Sequence, residues 1–165
     1  MGRAGRGGTL NPTFALRRGD ARDLGFVLDL GKRTTPDSVS ALRTQAPARL
    51  EASFERLVAF ALERSHVLLI AQDDFEGPAG FLLMLDDLPD EVTDLPQGFV
   101  GYMAVEPGAR RRGIAARLLQ AAEDAARVRG LPFMALMVTE DNTAARELYA
   151  QAGYSTERRL LCKPL

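Results

Sequence analysis

The chain lacks several features that would place it in a special class. It has a single cysteine, Cys162, among its 165 residues, so it cannot form an internal disulfide bond. It contains no apolar run of the roughly 18 residues that a transmembrane helix requires. Residues 1–8 lack the apolar segment of a secretory signal, and Arg6 stands where a myristoylation signal has Ser or Thr. These absences predict a cytoplasmic protein without a membrane anchor.

The chain also lacks an excess of basic charge. Its 21 Lys and Arg residues and 22 Asp and Glu residues give a formal net charge of −1, which argues against a general nucleic-acid binder. The one histidine, His66, has no cysteine or carboxylate at metal-binding spacing, so no metal site is predicted. A hydrophobic content of 46% and a charged content of 26% are ordinary for a globular protein.

The hydrophobic pattern predicts one domain over residues 13–165, after a flexible N-terminal tail over residues 1–12 that is rich in Gly and Arg. Apolar runs predict strands at 13–17, 67–71, 80–85, 99–105, 131–138 and 154–163. Helical spacing predicts helices from Asp20 to about Leu30, from Ala48, from Ile114 to near Gly130, and from Asn142 or Thr143 to about Gln151. Hairpins followed by strand–helix–strand units predict an α/β fold, with a mixed, mostly antiparallel sheet and flanking helices.

The segment 105–115 joins a predicted strand to a predicted helix through a turn. Such a junction presents backbone N–H groups to an anion at the positive end of a helix. Gly113 has no Cβ to block a close approach to its backbone, and Arg110, Arg111 and Arg112 add positive charge. The pattern predicts a loop that binds a pyrophosphate.

Two signatures in this half of the chain resemble those of the GCN5-related N-acetyltransferases. The run 110–115 (RRRGIA) resembles the family's acetyl-CoA loop, R/Q-x-x-G-x-G/A, and the preceding run 101–105 looks like its central strand. The run 142–154 is similar to the second signature, N-x-x-A-x-x-L-Y-x-x-x-G-F. The resemblance covers roughly residues 98–163 and implies the acetyltransferase fold, with acetyl-CoA as the cosubstrate and no metal.

The resemblance also implies contacts with acetyl-CoA. In the family the central strand splays from its neighbour, and its backbone binds the pantetheine arm; Met103 and Val105 occupy these positions. Asn142 is expected to hydrogen-bond the pantetheine or the acetyl end, a role that is compatible with capping a helix. The diphosphate is expected to contact Arg110, Arg111, Arg112, Gly113, Ile114 and Ala115.

The implied reaction moves the acetyl group directly to a primary amine in a ternary complex, without a covalent enzyme intermediate. An amine with a pKa of about 10.4 is almost fully protonated at pH 7, so a base must remove its proton. Tyr149 occupies the position of the family's general acid and would donate a proton to the leaving thiolate. A backbone N–H group of the segment 103–105 could bind the developing oxyanion.

The general base and the acceptor are left open by the sequence. The predicted central strand carries no carboxylate, whereas some relatives have a glutamate there. Glu140, Asp141 and an acid of the segment 86–94, acting through water, are alternative bases. The same acidic segment could attract a cationic amine, so a small-molecule or peptide amine is expected as the acceptor.

Two other functions fit parts of the pattern. A catalytically weak or inactive domain that binds acetyl-CoA as a sensor would keep the loop and need no base. A nucleic-acid-binding module could place the arginines on phosphates, but the balanced charge and the absence of a helix-turn-helix pair disfavour it. No nucleic acid and no membrane is therefore expected as a partner. Members of the family often form homodimers, although no segment of this chain indicates one.

Overall fold

The protein is built around one five-stranded sheet. A computed structural model describes residues 14–165; the predicted tail over residues 1–12 lies outside them. The strands lie side by side in chain order; the first four pair antiparallel with one another, and the fifth pairs parallel with the fourth. This arrangement confirms the mixed, mostly antiparallel sheet. The strands are β1 (Phe14–Arg18), β2 (His66–Asp73), β3 (Gly77–Leu85), β4 (Gly98–Val105) and β5 (Met134–Leu136).

Helices cover both faces of the sheet. They are α1 (Leu24–Thr34), α2 (Pro47–Leu62), α3 (Ile114–Val128) and α4 (Thr143–Gln151). Successive side chains of a strand point to opposite faces, so β3 contributes to two cores. Leu82 and Met84 join the core under α3, and Phe81 and Leu83 join the core under α1 and α2. No helix within residues 14–165 is long and apolar enough to cross a membrane.

Several element boundaries differ from the predicted ones. Asp20 is an N-cap as predicted, but it caps a 3₁₀ turn over Ala21–Asp23, so α1 begins only at Leu24. The predicted strand over 131–138 contains just the three paired residues of β5. Periodicity reveals which segments are apolar, but pairing partners decide how much of a segment becomes a strand.

The predicted strand over residues 154–163 is wrong. No residue of this segment is in a strand, and both Leu160 and Leu161 are exposed. The segment is instead fixed by Arg158, whose guanidinium pairs with the carboxylates of Asp90 and Glu91. These ion pairs hold it against the acidic loop, residues 86–94. Within residues 14–165, β5 therefore has β4 as its only strand partner.

Candidate active site

A gap opens between β4 and β5. The two strands pair only over Gly98–Val100 and Met134–Leu136. Beyond this point β4 continues to Val105 and pairs with β3 alone. The β3–β4 register shifts so that Gly101 has no partner, and a bulge of this kind bends and twists a strand. Met103 and Val105, the predicted pantetheine contacts, therefore lie where one edge of β4 is open.

The loop over residues 106–113 follows β4 directly. Its first N–H group, that of Glu106, donates a hydrogen bond of 2.8 Å to the carbonyl of Ala79 on β3. Arg111 has a φ of 66° and Gly113 a φ of 76°, so both lie in the left-handed region. That conformation costs a non-glycine residue such as Arg111 about 1–2 kcal/mol, and strain of this size occurs most often at functional loops.

The N-terminus of α3 has the features that an anion site requires. The first N–H groups of a helix have no partner within the helix, and they carry its partial positive charge. The N-cap is Gly113, which has no side chain to accept from them. Apart from its chain neighbours, a Cβ built on Gly113 would meet no atom of residues 14–165 within 4 Å, so the space beside its backbone is open. Ile114 is buried and fixes the first turn to the core, and Ala115 is half-buried.

The three arginines of the loop have different surroundings. Arg110 is exposed; its Nε donates to the Val105 carbonyl at 3.3 Å, and its guanidinium lies 3.4 Å from the carboxylate of Asp37. The side chain of Arg111 is exposed and makes no ion pair within residues 14–165. Arg112 is half-buried and donates to Asp73 at 2.9 Å. The predicted positive charge is therefore present, but only Arg110 and Arg111 hold it at the exposed side of the loop.

Asn142 caps α4, as the sequence predicts. Its side-chain oxygen accepts from the N–H group of Ala145 at 3.2 Å. Its amide nitrogen donates to the carbonyl of Asp37 at 3.5 Å. Asp37 lies in the connection between α1 and α2, so this connection contacts both the loop after β4 and the start of α4. Contact between Asn142 and a ligand stays a prediction.

Tyr149 lies on the same face of the sheet as the pantetheine positions. It is half-buried and packs against the core cluster that Met103 and Val105 also contact. Its ring centroid lies 6.0 Å from that of Tyr154. Burial raises the pKa of Tyr149 above its ordinary value of 10.0, because the charged phenolate is poorly solvated there. Its hydroxyl makes no hydrogen bond within residues 14–165, and it stays protonated, so it can donate a proton.

The structure does not single out a general base. Glu140 pairs with Arg146 at 3.1 Å, and the carboxylate of Asp141 accepts from the N–H group of Ala41 at 3.2 Å. The arginines that pair with the acidic loop compensate much of its charge: Arg129 binds Asp86, Arg64 binds Asp87, and Arg158 binds Asp90 and Glu91.

Asp90, in the acidic loop, has a carboxylate surrounded by hydrogen-bond donors. Its carboxylate accepts from the hydroxyl and N–H groups of Thr93, from the N–H group of Val92 and from Arg158. These bonds, led by that of the Thr93 hydroxyl, lower the pKa of Asp90 below its usual value. A carboxylate held in this way is a weak proton acceptor.

Sequence reasoning missed two carboxylates that lie against the predicted site. Asp37 contacts Arg110 and Asn142, and Asp73 contacts Arg112. Asp73 lies between the strands predicted over 67–71 and 80–85, which is the one local signal it gives. Neither contact was predictable because each joins residues far apart in the chain. Within residues 14–165 no group of three or more His, Cys, Asp or Glu side chains could hold a metal ion.

Comparisons with known proteins show the family and the fold of this chain. The model of the acetyltransferase (GNAT) family matches residues 34–154, which is most of the chain. The protein therefore belongs to the GNAT family of acetyltransferases. No match was found among curated protein sequences.

Solved structures with the same fold share little sequence with this chain. A putative acetyl transferase from Pyrococcus furiosus has a TM-score of 0.80 at 22% identity, covering 93% of this chain and 100% of its own. AAC(6')-Iy, solved in complex with the bisubstrate analogue CoA-S-monomethyl-acetylneamine, has a TM-score of 0.68 at 20% identity, covering 93% and 98%. A ribosomal-protein-alanine N-acetyltransferase from Brucella melitensis biovar Abortus 2308 has a TM-score of 0.68 at 23% identity, covering 93% and 99%. At these identities the likeness shows the fold alone.

Proposed function

We propose that this protein is an N-acetyltransferase that moves the acetyl group of acetyl-CoA directly to a primary amine in a ternary complex. Residues 13–165 would form its one acetyltransferase domain. The observation that carries the proposal is a single arrangement: the open edge of β4 leads directly to the uncapped N-terminus of α3. Cytoplasmic location and the absence of nucleic-acid and membrane partners remain predictions from the sequence.

The residues present fit acetyl-CoA. The open space at Gly113 and the N–H groups that begin α3, which no side chain of residues 14–165 caps, suit a diphosphate. In the proposal the main chain of residues 110–115 binds it, and the guanidinium groups of Arg110 and Arg111 add charge. The open edge of β4 at Met103 and Val105 would bind the amides of an extended pantetheine arm. Asn142 would contact the pantetheine or the acetyl end.

The chain would contribute a proton donor and an oxyanion donor to the transfer. When bound, the cosubstrate supplies an acetyl group that is activated as a thioester. The Tyr149 hydroxyl would donate a proton to the leaving sulfur, a role that suits a phenol kept neutral by burial. A backbone N–H group of the segment 103–105 would stabilise the oxyanion.

A small-molecule or peptide amine is the proposed acceptor. One structural neighbour was solved with a conjugate of acetylneamine, a small molecule, and another is named a ribosomal-protein-alanine N-acetyltransferase. The base that would deprotonate the amine is not assigned, because Glu140 and Asp141 already have partners within the protein. This engagement favours a second candidate function, an acetyl-CoA sensor with weak or no turnover.

Two measurements test the proposal. CoA and acetyl-CoA should raise the melting temperature, because a ligand that binds only the native state stabilises it. Thiol release from acetyl-CoA should then rise above background with one member of a panel of amino acids, polyamines, aminoglycosides and peptides. Stabilisation without thiol release would identify the sensor. Absence of stabilisation at millimolar CoA would overturn both functions.

A further inference from the structure

Asp73 is a buried carboxylate beside the loop that precedes α3. It ends β2, its residue exposure is 3%, and it accepts a hydrogen bond of 2.9 Å from the Arg112 guanidinium. It also accepts from the N–H groups of Phe75 and Glu76, at 2.9 and 3.3 Å, in the turn between β2 and β3. A carboxylate with three donors is firmly fixed, and so is the arginine that it binds.

Arg112 lies between the two left-handed residues of the loop, Arg111 and Gly113. Its side chain points to the β2–β3 turn, so the residue at the centre of the loop is tied to a rigid part of the sheet. The start of α3 has a second tie to the sheet, since Arg117 donates to the Phe14 carbonyl at 3.1 Å and lies over its ring. The first turn of α3 is thus held from the β1–β2 side of the molecule.

Arg112 ties the loop to the β2–β3 turn, which is a structural function and not the binding of an anion. With its side chain only 24% exposed and its guanidinium paired with a carboxylate, Arg112 contributes little net charge to a diphosphate. Fixing the loop in one shape lowers its conformational entropy. If the folded protein already holds that shape, the entropy is not lost again when a ligand binds, and the affinity is higher. A loop with strained backbone also needs external contacts to keep its shape.

We propose that Asp73 is a positioning residue that, through Arg112, holds the loop 106–113 in the shape in which its main-chain N–H groups meet a diphosphate. The proposal rests on the proposed function for the identity of the ligand. It goes beyond that function because it assigns a role to a residue of the β2–β3 turn and makes Arg112 a structural member of the loop.

The test compares Asp73→Asn with Asp23→Asn. Asp23 is a close match: it is 7% exposed, pairs with Arg17 at 2.6 Å, and accepts a backbone N–H bond from Asp20 at 2.9 Å. It lies between β1 and α1 and has no contact with the loop among its hydrogen bonds. Both variants lose an equivalent buried charge, so both should lose similar thermal stability.

The readouts are amide hydrogen exchange over residues 106–118 in the unliganded protein, and CoA affinity by calorimetry. Asp73→Asn should speed exchange in that segment and weaken CoA binding by about tenfold, the lower end of the loss that follows removal of the hydrogen-bond partners of metal ligands. In turnover, the loss should appear in KM for acetyl-CoA more than in kcat. Asp23→Asn should change exchange in that segment and CoA affinity by less than about twofold.

The outcomes separate the two proposals. Unchanged exchange in Asp73→Asn, or an equal increase in Asp23→Asn, overturns the positioning role whether or not CoA binds. If exchange is faster only in Asp73→Asn and the wild-type protein binds no CoA, Asp73 still fixes the loop through Arg112, but the proposed function is overturned. Faster exchange without weaker CoA binding overturns the link between the tie and the ligand.

Discussion

The carboxylate of Asp37 lies 3.4 Å from the guanidinium of Arg110, so the connection between α1 and α2 contacts the loop that is proposed to bind a diphosphate. The backbone carbonyl of Asp37 also accepts from the Asn142 amide. Two proposed CoA contacts therefore converge on one residue. A diphosphate and the Asp37 carboxylate would compete for the Arg110 guanidinium, since both are anions.

Asp37→Asn should therefore strengthen CoA binding. Both partners of the ion pair are exposed, and pairs of this kind contribute about 0.2–1 kcal/mol, so the gain should be at most about fivefold. Calorimetry at low salt measures it, and high salt should reduce the difference because it screens the pair. Glu55→Gln is the control, because it removes the same charge from an exposed carboxylate, the partner of Lys32 across α1 and α2. Weaker binding by Asp37→Asn would contradict the competition.

Gly113→Ala should weaken CoA binding and destabilise the fold by ~1 kcal/mol, because a φ of 76° is strained for any residue with a Cβ. The bulkier Gly113→Val should abolish CoA binding. Gly130→Ala is a matched control at the other end of α3, where the φ is 71° and a Cβ would also meet no atom of the described residues within 4 Å beyond its chain neighbours. Equal loss of CoA affinity in the Ala variants of Gly113 and Gly130 would mean that the loss reflects stability and not contact.

Tyr149→Phe should lower kcat by roughly 10²–10⁴-fold, the usual contribution of a general acid, and should leave CoA affinity nearly unchanged. Tyr154→Phe is its control, because the Tyr154 hydroxyl is buried, lies near Glu123 and makes no hydrogen bond of good geometry within residues 14–165. Its removal should leave kcat unchanged and should not reduce the melting temperature. Equal losses of kcat and CoA affinity in Tyr149→Phe would make Tyr149 a packing residue.

The pH dependence of turnover should reflect the burial of Tyr149. A general acid acts in its protonated form, and burial raises the pKa of this phenol above 10.0. The midpoint at which proton donation is lost should therefore lie above pH 10. Measurement of kcat between pH 7 and 10.5 tests this. An alkaline decline centred well below pH 10 that is absent in Tyr149→Phe would contradict it.

Gly31→Ala should destabilise the protein by ~1–3 kcal/mol, the usual cost of overpacking a core. An ideal Cβ on Gly31 would lie 2.0 Å from the ring of Phe54, so α1 and α2 would have to separate. Gly25→Ala lies on the same helix, but its Cβ would meet no atom within 4 Å among residues 14–165 outside its own helix backbone, so it should instead stabilise α1 by ~0.5–1 kcal/mol. Urea unfolding of both variants measures the difference, and similar midpoints would contradict the packing argument.

Local patterns were sufficient to predict most of the fold. Alternating and contiguous apolar runs located the first four strands of the sheet, and helical spacing located α2, α3 and α4. Asp20 and Asn142 were recognised as caps because a cap depends on residues two or three positions away. The strand over 154–163 was predicted wrongly because its weak alternation competes with the ion pairs of Arg158, which join residues more than sixty positions apart.

The sequence by itself determined the family, the loop after β4 and the identity of the residues proposed to contact acetyl-CoA, because each of these depends on short-range spacing. Tertiary structure decided how those residues are used. It directed Arg112 toward Asp73, brought Asp37 to Arg110 and Asn142, and gave the acidic loop its own arginine partners. These pairs form only when distant segments fold together, and the energy of a charge depends on the partners and the burial that it finds there.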